Sequence, residues 1–365
     1  MWKIHRYYLR EIGVNAVLTF LVLFGIALIC FLYRGIRLVK GGDLVDAAIT
    51  TLLLAADAIP HLLTVAFLFA TVLAFARASQ DREITAIRSA GISPRVPLVS
   101  ALLLGVVCSL IAAVSNHYLI PFAHYNKYRV VAELSKKALA NLTDREGRIA
   151  LGGGTMVWKH RDKSNRFHDV LIFVQDKSLA RALRIGSLGE AGTLVRASSA
   201  SIHTHENTNQ LSLSLEEMRV LPGGGNIGNL LITIDLVQIA ENERRSERDK
   251  DLRSDSLLSE VARGVRSDHG AQYARYMVNR RACFALMPFL LAPIGFCIGV
   301  LSRERGRVLA LSLCIVPLGI FYITDFLGES MFGRVGSSFR DLIGWLPAAV
   351  TLLLGGPFCW RLLRI

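Results

Sequence analysis

No Gly-Lys dipeptide occurs anywhere in this 365-residue sequence. A phosphate-binding loop, Gly-x-x-x-x-Gly-Lys-Ser/Thr, needs that pair because backbone amides cradle the phosphates while the lysine reaches them. The chain therefore does not hydrolyse ATP through such a loop, and the clusters Gly152–Gly154 and Gly223–Gly228 read as turns. Gly-x-Ser-x-Gly is also absent, which removes the nucleophile elbow. The six cysteines (Cys30, Cys108, Cys283, Cys297, Cys314 and Cys359) lie within or beside apolar runs and include no Cys-x-x-Cys pair, so neither a disulfide framework nor a thiolate metal site is expected. His203 and His205 share a strand face with Glu206 alongside, but no third well-spaced ligand accompanies them, and no metal is assigned. Internal repeats and low-complexity segments are missing too. The sequence points to no catalytic residue.

Acidic residues are in deficit. Forty-two Lys and Arg against 29 Asp and Glu leave a formal charge of +13. Nucleic acid is one partner such a balance suggests, but the cations flank apolar runs, where they orient spans and meet anionic lipid. A hydrophobic fraction of 52% and a mean hydropathy of +0.41 describe an integral membrane protein. The first apolar run, Ile12 to Tyr33, follows Lys3, His5, Arg6 and Arg10. It is longer than a signal-peptide core and no Ala-x-Ala site comes after it, so an uncleaved span is expected.

Further bilayer-length runs at Ala58–Ala78, Val96–Ile120, Cys283–Ser302, Val308–Leu327 and Leu342–Trp360 bring the expected total to six, three before and three after a long polar insertion. The expected organisation is 1–120 for spans one to three, 121–281 for the inserted domain with flanking helices, and 282–365 for spans four to six. Lys3/Arg6/Arg10, Arg77/Arg82/Arg88/Arg95, Arg303/Arg305/Arg307 and Arg361/Arg364 fall on one side if the spans alternate. Both termini are then cytoplasmic and the insertion is periplasmic in a two-membrane cell. Leu44–Ala56 is apolar and is expected to lie along the outer interface, with Pro60 in the first turn of the second span.

Within the insertion, Ile149–His160, Phe167–Gln175, Ala180–Ile185, Leu194–His203, Gln210–Met218 and Leu230–Ile239 are rich in Val, Ile, Leu, Ser and Thr. Glycine- and polar-rich turns punctuate them, including Asp162–Asn165, Glu206–Asn209 and Pro222–Gly228. They predict an antiparallel sandwich or open jellyroll. The charged stretch Glu241–Ser256 and the helical spacing of Leu257, Leu258, Val261 and Val265 suggest a helix returning to the membrane.

Three polar features interrupt the apolar pattern. Ser79 to Pro94 reads as one short helix, 79–93, with Ser79 as N-cap, Asp81 and Glu83 in the first turn, Arg88 near the end and Gly91 as its stop. Such a helix serves either as a partner's docking point or as an ordinary connection. Arg34, Arg37 and Lys40 defy the charge rule at the outer end of the first span and suit either a phosphorylated lipid or simple snorkelling. Asp325 and Glu329, near the outer end of the fifth span, call for a cation from Arg280, Arg281 or the Arg34 group. A structural pair is favoured there over a proton relay, because no chain of ionisable residues continues down the spans.

The run Asp81-Arg82-Glu83-Ile84-Thr85-Ala86-Ile87-Arg88-Ser89-Ala90-Gly91-Ile92-Ser93, set between spans two and three, closely resembles the lipopolysaccharide-export permeases of the LptF/LptG family. The resemblance extends over essentially the whole chain, including the three-plus-three layout around a periplasmic β-jellyroll. It implies a coupling helix docking in a separate cytoplasmic ATPase dimer, with Glu83, Ile84, Ile87 and Arg88 as contacts and Gly91 as the stop. It also implies a paralogous permease subunit, a single-span periplasmic jellyroll subunit, and lipid phosphates bound by Arg34, Arg37 and Lys40. ATP and magnesium then belong to the partner, and this subunit carries no cofactor of its own. The sequence departs from the family in having Thr64-Val65-Ala66-Phe67 where a second proline is common, and arginines where the G-type first span carries lysines. A permease of the lipoprotein- or macrolide-exporter type and a non-transporting membrane scaffold with a β-domain are the other readings. The six-span layout argues against the former, which usually has four spans.

Overall fold

The computed structural model describes residues 2–38, 44–93, 95–127, 130, 147–151, 154–162, 166–175, 180, 183, 185, 192–204, 210–221, 226–235, 248–302, 306–336 and 339–364. These form two compact units. One comprises 1–34, 51–125 and 249–365 and is helical; the other comprises 35–50 and 126–248 and holds the sheet.

In chain order the principal helices among the described residues are α1 (Trp2–Leu38), α2 (Leu44–Ala55), α3 (Ile59–Gln80), α4 (Glu83–Ser89), α5 (Arg95–Val114), α6 (Ser254–Ala262), α7 (Asp268–Leu301), α8 (Gly306–Leu313), α9 (Ile315–Met331) and α10 (Leu346–Arg364). Among the described residues, five stretches are long and apolar enough to cross a membrane: Trp2–Ile36, Leu44–Gln80, Arg95–Lys127, Asp268–Leu301 and Val308–Met331. The last expected span is helical as well, but its apolar part, Leu342–Pro357, is shorter.

α7 is the centre of the helical unit and packs on α3, α5 and α10. Small residues let it approach its neighbours closely. A Cβ built on Gly105 of α5 meets the Phe289 Cα of α7 at 3.2 Å, and one built on Gly299 meets the Phe75 Cβ of α3 at 2.7 Å. In hydrocarbon, where apolar burial gives helices little reason to associate, such backbone proximity is a main source of attraction. Phe67, Leu68, Phe75, Met287, Leu291 and Phe296 fill the core around these contacts. A π turn, Ser115–Leu119, extends α5 and brings His117 Nδ1 to 2.7 Å from Ser254 Oγ of α6.

Among the described residues the sheet unit has seven strands: β1 (Gly147–Leu151), β2 (Gly154–Trp158), β3 (His160–Arg161), β4 (Arg166–Val174), β5 (Thr193–Thr204), β6 (Gln210–Leu221) and β7 (Asn226–Asp235). Their order is β1-β2-β4-β5-β6-β7, with β3 beside β4, and every pairing is antiparallel. Met156, Trp158, Phe167, Ile172, Val195, Leu213 and Leu215 share a core by alternation, which in β4 is reset at Asp169, where φ is 54°.

Two strand expectations are corrected. Ile149–His160 is not one strand but the β1–β2 hairpin and then the start of β3, with Leu151 pairing to Gly154 across the turn. In Ala180–Ile185, the described residues form a turn in which the Ile185 N–H donates to Ala180 O at 2.9 Å. Among the expected turns, 152–153, 163–165, 205–209 and 222–225 lie outside the described residues.

Candidate functional site

α3 and α4 are separated by only Asp81 and Arg82. The break is made at Arg82, whose φ of 58° is left-handed, an uncommon state for a side-chain-bearing residue. Ser79 is therefore not the N-cap that its position suggests. It lies buried in the last turn of α3, and its hydroxyl donates to Val300 O of α7 at 3.1 Å. The helix begins at Glu83 rather than 79, because the hydroxyl is satisfied by a tertiary contact.

The far end obeys the local pattern. Gly91 has φ of 74°, its N–H donates to Arg88 O at 3.0 Å, and the Ile92 N–H reaches back to Ile87 O at 3.1 Å. These two bonds are a Schellman termination, and the left-handed glycine makes it without steric cost.

α4 has two distinct faces. Ile84, 5% exposed, belongs to the helical core and Ile87 packs partly against it. Thr85, Ala86, Arg88, Ser89 and Ala90 are exposed. The isoleucines thus seat the helix on its own protein, and the small and polar side with Arg88 is left exposed.

Glu83 is engaged within the chain. Its Oε1 accepts from Tyr7 Oη at 3.1 Å and its Oε2 from Tyr8 Oη at 3.3 Å. Tyr8 is 1% exposed and stacks on Phe75 of α3 with centroids 5.4 Å apart. Nearby, Arg77 pairs with Glu11 at 3.1 Å and with Asp81 at 3.4 Å, and His5 Nδ1 lies 2.8 Å from Ser100 Oγ of α5. α1 is pinned by this cluster along its first turns. From Trp2 to Arg34 its buried side chains are Tyr8, Ile12 and Ala16, whereas Leu18, Leu21, Val22, Ile26 and Ile29 are exposed.

Arg34 is exposed near the other end of α1. Arg37 continues the helix, but its side chain, like all of Lys40, lies outside the described residues. His203 lies in β5 opposite Ser212, while His205 and Glu206 are also outside the described residues. Among the described residues no cluster of three potential metal ligands occurs.

The structure divides the two adjacent arginines of α7. Arg280 forms a bidentate pair with Asp325 of α9, Nε to Oδ1 at 2.7 Å and Nη2 to Oδ2 at 2.6 Å, and Nη2 also lies 3.2 Å from Glu329. Arg281 points elsewhere, donating to Asp249 O and Leu252 O at 3.1 and 2.9 Å and to Ser254 Oγ at 3.1 Å. It thereby ties the segment entering α6 to α7. Arg266 adds ion pairs to Asp249 at 2.6 Å and Glu260 at 2.9 Å.

A model of the family described as the lipopolysaccharide export system permease LptF/LptG matches residues 6–364. The chain belongs to the LptF/LptG family. It is a multi-pass inner-membrane permease and a transport component of lipopolysaccharide export. A comparison with curated proteins gives no match.

Some contacts of this permease join residues that the sequence does not single out. Tyr7 and Tyr8 stand ahead of the first apolar run with nothing local to tie them to Glu83. His124 lies 2.8 Å from Asp57, a contact between the α5 extension and the turn before α3. Only chain-distant pairing reveals either contact.

Proposed function

We propose that this permease works in ATP-driven extraction of lipopolysaccharide from the outer leaflet of the inner membrane, with hydrolysis supplied by a separate cytoplasmic ATPase dimer. The observation that carries the reading is α4. It is a short helix closed by a glycine stop, seated by isoleucines and exposing Thr85, Arg88 and Ser89, in a chain with no Gly-Lys pair of its own. The flanking arginines favour a cytoplasmic position for α4 and for both termini.

In this reading α1, α2 with α3, α5, α7, α8 with α9, and α10 are six spans. A related permease completes the lipid cavity, and ATPase closure moves the spans as rigid bodies through the two coupling helices. Arg34, Arg37 and Lys40 receive lipid phosphates at headgroup depth, where guanidinium groups offer paired donors. The sheet acts as a periplasmic jellyroll that takes the extracted lipid and passes it to a single-span jellyroll subunit. Arg280, Asp325 and Glu329 hold α7 to α9 rather than carry protons.

Purification of the permease pair in mild detergent tests the coupling surface. Arg88→Glu is expected to reduce co-purified ATPase at least about fivefold, since the charge reversal meets the partner directly. Retention of the ATPase at the wild-type level defeats the assignment.

A further inference from the structure

We infer that Tyr7 and Tyr8 are positioning residues that make α1 move with the coupling helix. The inference rests on the proposed coupling role of α4.

Glu83 opens α4, and both of its carboxylate oxygens are held by α1, through hydroxyls of adjacent residues at 3.1 and 3.3 Å. Hydrogen bonds to an ionised acceptor are about twice as strong as neutral ones. Phenols on a short rigid stem transmit displacement better than a long flexible cation does. Tyr8 is also wedged on Phe75, so it bridges the coupling helix and the α3 core. Arg82, the left-handed residue between α3 and α4, supplies the joint about which α4 turns. A push on the exposed face of α4 therefore reaches α1 through Glu83 as well as reaching α3 through the backbone.

α1 is suited to receive it. Its contacts with the helical unit are concentrated at Tyr8, Ile12 and Ala16, and the residues beyond carry exposed apolar side chains. At 1.5 Å per residue, Arg34 lies about 39 Å along the helix from Tyr8, so a tilt of about 10° at the grip moves the Arg34 end by about 7 Å. The tyrosines thus connect a movement at α4 to the end of α1 proposed to hold lipid phosphate. Glu83 then serves as an internal strut in addition to the face it leaves partly exposed beside Arg88.

The test uses the whole complex of both permeases and the ATPase in nanodiscs loaded with lipopolysaccharide, reading co-purified ATPase, ATP hydrolysed and lipid released. The double variant Tyr7→Phe/Tyr8→Phe keeps both rings and deletes both hydroxyls. We expect ATPase association within about twofold of wild type and lipid released per ATP lowered at least about fivefold, the scale of losing hydrogen bonds to a charged group. Glu83→Gln keeps an acceptor oxygen and is expected to retain more coupling than the double variant. The inference is overturned if lipid released per ATP is unchanged in the double variant, or if it falls only because the ATPase is lost. A wild-type complex that binds no ATPase or releases no lipid with ATP overturns the parent reading instead, and the inference with it.

Discussion

Gly299 fixes how closely α7 lies on α3, and replacing it with alanine measures that contact. A Cβ at this position meets Phe75 Cβ at 2.7 Å, Val72 O at 2.9 Å and Ala76 N at 3.0 Å. Two of those atoms are backbone and cannot rotate away. Reaching ordinary contact requires the helices to part by about 0.7 Å, enough to forfeit roughly a quarter to a half of the dispersion energy in contacts that open by that amount. Overpacking of this kind costs about 1–3 kcal/mol, against a gain of about 1 kcal/mol from the better helix propensity of alanine. The net expectation is a loss of up to about 2 kcal/mol. Gly295, one turn earlier on the same face, is the internal control. Its nearest neighbours stand further off, Leu68 Cδ1 at 3.1 Å and the Thr71 Cβ and Cγ2 at 3.2 Å, so a shift of only a few tenths of an ångström makes room. Gly295→Ala should therefore be neutral or slightly stabilising. Thermal unfolding of the detergent-solubilised complex separates the two, with Gly299→Ala melting several degrees lower, at about 2–4 °C per kcal/mol. Equal melting of both variants, or a lower value for Gly295→Ala, refutes the argument. Because α3 runs almost directly into α4, Gly299→Ala should also lower lipid release per ATP.

Asp325→Ala leaves the Arg280 guanidinium with Glu329 alone, and breaking a pair this buried should cost about 3–5 kcal/mol, whereas Arg280→Met with Asp325→Leu should recover most of that; melting of the two complexes compares them. Arg34→Glu with Arg37→Glu should abolish photo-crosslinking of lipopolysaccharide to α1 while leaving the complex assembled, as gel filtration reports. In the sheet, hydrogen bonds from Lys159 and from Arg196 hold the Asp169 carboxyl below its usual range. Its folded state binds protons less readily than its unfolded state, so this stabilisation is full above the ordinary Asp value of about 3.9 and is lost as pH falls through the depressed value. Asp169→Asn should flatten the acid dependence of amide-exchange protection in β4 and β5 over that window. An unchanged acid profile counts against the pair.

The apolar runs and the glycine stop of α4 were legible because both are local: hydrocarbon demands length, and a positive φ demands glycine. The start of α4 was not, since Ser79 has the chemistry of a cap but spends its hydroxyl on Val300, some 220 residues away. Arg280 and Arg281 show the same limit. As helical neighbours they project about 100° apart, and nothing in the sequence says which faces Asp325. Ile84 and Ile87 are one helical turn apart, and that spacing does not say whether the two side chains meet a partner, as the resemblance implies, or the chain itself. Ile149–His160 looked continuous because its strand-forming residues outnumber the glycines between β1 and β2.

Left-handed residues bracket α4, Arg82 before it and Gly91 after it. Its seven residues span about 10 Å, and each additional residue rotates the downstream chain by about 100°. The segment is therefore as sensitive to a change in length as to a change of side chain: one inserted residue swings Arg88 more than a quarter turn out of phase with Ile84. The connection between the flanking helices is in this sense a keyed shaft, whose register matters as much as its chemistry.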